Sequence, residues 1–347
     1  MKLFSSKINL IKEEWTLQNL NKCTSFDFLE IFYKNHPQIR HLFFLGNKVR
    51  IYGQVFNFSL SNMISYINNN RFYNSIFKIV NFKILYLTNS FTTSMPSFFC
   101  EKKIDFDVID KLISYNYSLL IIPDYLFENL EIDDEQYLKV QVEDDMILEI
   151  KNKWKNFEDY RSNMKSKYRS KIDKIISKTS ALKIRILSFS DLENYNNEIQ
   201  NLFNQVIESS RFRGPNFNVS TFSELIKKDY ITLYGYFHDN KIVGFSSEIY
   251  EDEKMFSYYV GFDKKLNKQI PIYGRILIEN IKNAIELNKS YLILGRTANE
   301  FKSNFGAKPI NSYIYIFIRN KFFSKIFRVI IKKIKINEWN LRNPFQK

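Results

Sequence analysis

Residues 261–306 read GFDKKLNKQIPIYGRILIENIKNAIELNKSYLILGRTANEFKSNFG. Ile276, Leu277, Ile281, Ala284, Ile285 and Leu287 recur at spacings near three, four and seven, so the middle of the stretch is a helix with one apolar face. Asn288 supplies a polar stop, and Tyr291–Leu294 is an apolar run short enough for a buried strand. A short helix closed by Gly306 follows. The long helix starts directly out of a loop. Its unpaired backbone N–H groups and the positive end of its dipole would suit a phosphate there.

Upstream, Tyr230–Phe237, Lys241–Tyr250 and Met255–Phe262 read as an antiparallel meander, with turns at His238-Asp239-Asn240 and Glu251–Lys254. Before them come a strand at Leu182–Leu187, a helix at Leu192–Ser209 and a shorter one at Thr221–Lys228; Ser312–Arg319 adds a last strand. The order is β-α-α-β-β-β-α-β-α-β. A Rossmann domain would not place three antiparallel strands before its phosphate helix. Residues 154–178 read as one helix with Trp154, Phe157, Tyr160, Met164, Tyr168, Ile172 and Ile175 on an apolar stripe. It is either a solvated connector or an electropositive rim for an anionic donor or acceptor.

The first half alternates as well. A helix is expected at Ser25–Lys34, capped by Ser25 or Asp27. A hairpin turning at Gly46-Asn47 joins Ile39–Phe44 to Val49–Leu60, and a helix follows at Ser61–Val80. Then come strand Ile84–Leu87, helix Asp107–Tyr115, strand Ser118–Ile122, an acidic loop at Asp124–Glu135 and extended chain over Tyr137–Ile150.

A length of 347 residues allows two domains, and 33 Phe and 22 Tyr among few Gly and Pro argue against an extended disordered segment. Cys23 and Cys100 have no metal-ligand spacing, and the three scattered histidines offer no basis for a metal site or a Ser–His–Asp triad. No apolar run is long enough for a signal peptide or a membrane span, so a reducing cytoplasm is the expected location. Segments 151–178 and 321–347 each carry a net +7, which accounts for the whole net charge of +14. The basicity is thus local and is not a DNA-binding surface. Residues 321–336 place Lys321, Lys325, Arg328, Lys332 and Lys335 on one side of a helical wheel and Phe323, Ile326, Phe327, Ile330, Ile331 and Ile334 on the other. Such a helix lies on an anionic membrane surface or packs its apolar face on a domain.

The element order resembles the GNAT (acyl-CoA N-acyltransferase) fold. Gly274-Arg275-Ile276-Leu277-Ile278 is similar to the second half of that family's G-x-G/A donor-helix start. Ile272 stands where the first glycine would be, and Gln269 is the nearest polar residue to the usual arginine or glutamine. Asp159–Lys178, preceded by Trp154 and Phe157, resembles the linker helix of FemAB-like, double-GNAT acyltransferases, and SFDFLEIFYKNHP (25–37) resembles their opening. Gly295-Arg296-Thr297-Ala298 with Glu300, Lys302 and Gly306 is similar to the G-R-T-A-x-E-x-K-x-x-x-G segment of bacterial members. The resemblance spans about residues 20–320.

It implies an α/β protein with a mixed sheet in two tandem GNAT-like domains. Residues 1–153 form a degenerate domain shaping the acceptor cleft, 154–320 the acyltransferase domain with its basic linker helix 154–178, and 321–347 an amphipathic tail. The implied reaction moves an acyl group from acyl-CoA, or another thioester, to an amine acceptor such as a cell-envelope precursor. No bound cofactor is implied, since acyl-CoA is a co-substrate. Direct attack needs a base, an oxyanion site and an acid for the departing thiolate, but no covalent nucleophile. The base expected is Glu248. One of Tyr258 and Tyr259 lines the acceptor site, since successive strand residues alternate faces, and Tyr258 is the expected one. Lys302 stands where family members carry a tyrosine near the sulfur; it protonates or stabilises the thiolate, holds a donor phosphate, or is a solvated lysine. Gln269, Tyr273, Gly274, Arg275, Arg296, Thr297 and Asn299 are the expected donor-binding residues. Arg211-Phe212-Arg213-Gly214-Pro215 is an acceptor clamp or a surface turn.

Two other functions compete. An aminoacyl-tRNA-dependent FemAB-type transferase is favoured by the basic helix but disfavoured by the lack of a long helical hairpin between Asp191 and Asp229. A non-catalytic protein held at a membrane by 321–336 is the other.

Overall fold

A computed structural model of the chain describes all residues except 6–7, 16–19, 60–80, 113–116, 133, 209–213, 322–323, 326–327, 329–337 and 347. The chain forms two compact units. One comprises Met1–Val142, Arg211–Asn218 and Ser312–Asn337; the other comprises Glu143–Ser210, Val219–Asn311 and Glu338–Lys347.

In the first unit, Arg40–Gly46 and Val49–Ser59 pair as a hairpin whose turn residue Lys48 is left-handed (φ 55°). Asn81–Tyr86 lies antiparallel to Val49–Ser59, and Leu119–Pro123 runs parallel to it over Ile84–Tyr86. The helix Phe26–Asn35 starts where Ser25 Oγ accepts from the Phe28 amide, and it buries Phe28, Leu29 and Phe32. Helix Phe106–Leu112 occupies the first part of the expected 107–115 segment. The acidic loop holds one helical turn, Asp124–Phe127, and a two-residue strand at Leu130–Glu131. The expected helix at 61–80 lies outside the described residues, as do most of 321–336 and the arginines of the 211–215 loop. The last strand, Lys308–Ile318, lies in the sheet order between Leu119–Pro123, with which its residues 314–318 pair, and Leu138–Glu149. Ile316 and Ile318 are drawn there by Phe58, Phe82, Ile84 and Leu119.

The second unit carries the expected order of elements: Lys183–Ile186, Phe189–Ile207, Thr221–Lys227, Thr232–His238, Lys241–Tyr250, Lys254–Phe262, Ile272–Glu286, Tyr291–Gly295 and Asn299–Ser303. Its strands pair in the order 183–186, 232–238, 241–250, 254–262, 291–295, 146–149. Only 254–262 and 291–295 are parallel, because a helix must cross between them. Helix Ile272–Glu286 covers one sheet face with Leu277, Ile278, Ile281, Ala284 and Ile285 buried, whereas Leu287 is exposed. Helix Phe189–Ile207, opened by a Ser188–Asp191 capping box, covers the other.

The single helix expected over 154–178 is two: Phe157–Ser162 and Ser166–Lys178. The break coincides with a contact distant in sequence. The Lys165 amide donates to Pro344 O at 2.8 Å instead of to the carbonyl four residues back.

Candidate functional site

The parallel pair in the second unit holds together over only three positions, Lys254–Phe256 against Tyr291–Ile293. Beyond Phe256 the two strands part. The register to Lys241–Tyr250 then jumps, so that Tyr258 and Tyr259 together oppose Ser247. Ser247 Oγ accepts from the Tyr259 amide (2.9 Å) and donates to its carbonyl (3.0 Å). The paired positions with 291–295 end at Phe256, toward the carboxyl ends of the parallel pair.

The helix after this strand does not present an open start. The Tyr273 amide donates to Asn267 Oδ1 at 2.9 Å and the Ile272 amide to Ile270 O at 2.7 Å. Gly274 faces Ile175, whose Cδ1 would lie 2.9 Å from an added Cβ, so its missing side chain admits the neighbouring helix. Arg275 reaches Glu279 (2.6 Å) and Thr179 (3.3 Å). The Tyr273 ring stacks between Phe262 (5.4 Å) and Phe301 (5.5 Å), and Gln269 is exposed.

Glu248 is fully buried on the sheet face beneath this helix. Its carboxylate accepts from Tyr250 OH (2.5 Å), Asn280 Nδ2 (2.6 Å) and Asn283 Nδ2 (3.0 Å to each oxygen). Asn280 Oδ1 in turn accepts from Ser257 Oγ at 3.0 Å, which ties the knot to the point where the strands part. Burial raises the Glu248 carboxyl to about 7 against the opposing pull of these hydrogen bonds.

At the end of Tyr291–Gly295 the chain turns through left-handed conformations at Gly295 (φ 70°), Thr297 (66°) and Ala298 (50°). Lys302 holds that turn from below. It is 3% exposed, and its ammonium donates to Gly295 O (3.0 Å) and Arg296 O (2.7 Å). Burial lowers it to about 7, and the charges of Asp145 and Glu143 act in the other direction. Arg296 Nη2 lies 3.6 Å from Asp145, while its Nε and Asn299 Oδ1 are buried without a hydrogen-bond partner among the described residues. Thr297 is exposed. Replacing Lys302 with Met would keep the volume and leave two carbonyls unpaired. We expect a loss of about 2 kcal/mol from the second unit in urea denaturation at about pH 10, where the buried amine is neutral in the fold and little cost of burying a charge remains.

Glu248, Tyr258 and Lys302 stand in three different surroundings. Glu248 lies under the long helix, and Lys302 lies beyond the end of the neighbouring strand. The Tyr258 ring packs 4.3 Å from that of Tyr259 and 6.5 Å from that of Phe222. Asp145, Asn267, Ser257, Asn280 and Asn283 escaped the sequence reading. Asn280 and Asn283 left a readable trace, as polar residues set into the helix's apolar side.

The sequence matches no protein-family model and no curated protein. Solved structures do match. The C-terminal domain assigned to a lysylphosphatidylglycerol synthetase from Agrobacterium fabrum superposes with a TM-score of 0.52 at 9% identity, over 93% of this chain and 96% of that one. FemX superposes at 0.50 and 10%, over 95% and 100%. L-PGS from Bacillus licheniformis gives 0.50 and 11%, over 91% and 98%. With the mixed sheet and the parting parallel pair, these likenesses give this chain the fold of FemX and of the two synthetase structures.

Proposed function

We propose that the second unit transfers an acyl group from an activated carrier to an amine. The observation that carries this reading is the parting of 254–262 from 291–295 above a three-position parallel contact, with the Tyr258–Tyr259 bulge at its edge. An acyl carbonyl placed there meets the backbone of a strand edge that has left its neighbour, which can bind a donor in strand fashion and steady an oxyanion. Arg296 Nε, buried and unpartnered among the described residues, suits a carbonyl or carboxylate of a substrate, and Asn299 Oδ1 suits a donor such as an amine N–H. In this reading Glu248 and Lys302 support the site from behind, and the amine loses its proton to a group on the substrates or to Tyr258.

For the carrier, the helix start supports one of the two readings over the other. Its amides are occupied by Asn267 and Ile270, and Gly274 by Ile175, which leaves little for a CoA pyrophosphate. Lys167, Lys171, Lys174 and Lys178 form one exposed stripe about 16 Å long. Lys171 reaches Asn304 beside the short 299–303 helix. These features favour an aminoacyl ester on tRNA over acyl-CoA, and the shared fold with a lysylphosphatidylglycerol synthetase domain is compatible with it.

Thermal unfolding in the presence of acetyl-CoA, a long-chain acyl-CoA, aminoacyl-tRNA and anionic liposomes tests the reading. Aminoacyl-tRNA at a hundredfold excess over its dissociation constant is expected to stabilise by about 2.7 kcal/mol, with acyl-CoA giving little. Stabilisation by acyl-CoA alone would reverse the choice of carrier. Response to liposomes alone would favour a non-catalytic membrane-surface protein, and no response to any donor would overturn acyl transfer.

A further inference from the structure

Residues 338–346 have no helix and pair with the rest of the second unit at a few points, as a docked peptide would. Phe345 makes an isolated antiparallel bridge with Met164. Lys165 N donates to Pro344 O (2.8 Å), and Gln346 N to Asn163 O (3.2 Å). The Lys165 ammonium donates to Asn343 O (3.1 Å). This is strand addition to the gap between the helices Phe157–Ser162 and Ser166–Lys178. The Phe345 ring sits 5.0 Å from Trp154 and 5.7 Å from Tyr160, with the Lys151 ammonium 5.6 Å away. Its floor is Gly306, where an added Cβ would come within 2.2 Å of the ring. Upstream, Arg342 pairs with Glu300, and its amide donates to Ser303 Oγ at 3.1 Å.

Glu300, Ser303 and Gly306 all belong to the segment that carries Lys302, the lysine that holds the left-handed turn at Gly295–Ala298. Trp154 and Tyr160 form the socket wall, and the Tyr160 hydroxyl donates to Phe305 O at 2.8 Å. The aromatic residues ahead of the basic helix, the break inside it and the glycine that closes the 295–306 motif thus have one common purpose, which is to receive Phe345.

We propose that residues 338–346 are an internal peptide ligand, and that residues 154–165 with 299–306 form a docking site for an extended peptide carrying arginine three residues before a phenylalanine that follows proline. Its seating holds the 299–303 helix in place and, through Lys302, the Gly295–Ala298 turn. The importance of that turn rests on the transferase reading; the docking does not.

The test uses the full chain with Phe345→Ala, and separately with Arg342→Ala in case the first does not fold. Acetic anhydride labelling of Lys302, read by peptide-mapping mass spectrometry, is expected to quicken about tenfold in either folded variant. A synthetic peptide spanning 338–347, added in excess to the Phe345→Ala chain, is expected to bind saturably by calorimetry and to restore protection. The same peptide with alanine at the phenylalanine is expected to bind about thirtyfold more weakly or worse. Unchanged labelling of Lys302 in the folded variants, or a peptide that neither binds nor protects, overturns the proposal. Neither result depends on turnover, so failure here leaves acyl transfer to its own test.

Discussion

Gly261→Ala is expected to cost the second unit about 3 kcal/mol or more, one of the largest effects of any single methyl group in the chain. A Cβ at this position would stand 2.3 Å from Cε1 of Phe245, and 2.8 Å from the carbonyl carbon of Leu202 and the amide nitrogen of Phe203. A ring can turn aside, but helix main chain cannot. The helix Phe189–Ile207 would have to lift from the sheet, breaking the contact of Phe203 with Tyr259 (5.2 Å) on the bulge at the parting strands. Gly244→Ala is the control. Its nearest obstacle is a side-chain methyl, Cγ2 of Ile272 at 2.9 Å, which can shift, so a loss of about 1 kcal/mol is expected. Urea denaturation of the two variants separates the cases. Equal losses would mean that the helix is not held against the strand as described.

The sequence made the second unit's elements legible because their periods are strong and their turns short. The 241–250 and 254–262 strands are set apart by short polar turns, and the 272–286 helix keeps its apolar residues on one side. The first unit's short strands, Lys2–Phe4 and Phe98–Cys100, are too brief for a period to show. The site was less legible, for reasons visible at single residues. A glycine at a helix start can admit a ligand or a neighbour, and the identity of Gly274 does not distinguish them; Ile175, about a hundred positions away, does. Glu248 was found by its place on a strand, but what encloses it is set by Asn280 and Asn283 on another element. The run 154–178 has an unbroken helical stripe, and only a carbonyl at Pro344 interrupts it. Each miss is a contact distant in sequence overriding a correct local pattern.

Acidification from pH 7 to pH 5 is expected to move the two units in opposite directions. In the first unit His36 and His41 are buried and lowered to about 4 by desolvation. His36 Nδ1 lies 3.2 Å from Phe32 O, and its Nε2 accepts from the Asn218 amide at 3.2 Å. His41 meets the Tyr52 hydroxyl and His36 O. Below about 6.5 the unfolded chain binds protons that these folded imidazoles refuse, so the first unit loses stability as pH falls toward 4. In the second unit Glu248 has the reverse sign. Its folded carboxyl titrates near 7, above its ordinary 4.5, so the native state holds the extra proton between these values. The stability it contributes is full below 4.5 and is lost as pH rises through 7. Each tenfold gain in proton affinity is worth ~1.4 kcal/mol, so a carboxyl raised from 4.5 to about 7 contributes about 3 kcal/mol. Tyr250, Asn280 and Asn283 contact the carboxylate, and Glu279 and Tyr234 lie near enough to feel its charge. Lys302 is lowered from 10.5 to about 7 and acts above this window, where the second unit gains stability as pH rises. Hydrogen exchange resolved by unit, at pH 5 and 7 and corrected for intrinsic rates, reads both slopes in one experiment. Glu248→Gln should flatten the second unit's response and leave the first unit's unchanged. Two units that weaken together on acidification would show that Glu248 is already ionised in the fold, with its three partners outweighing its burial.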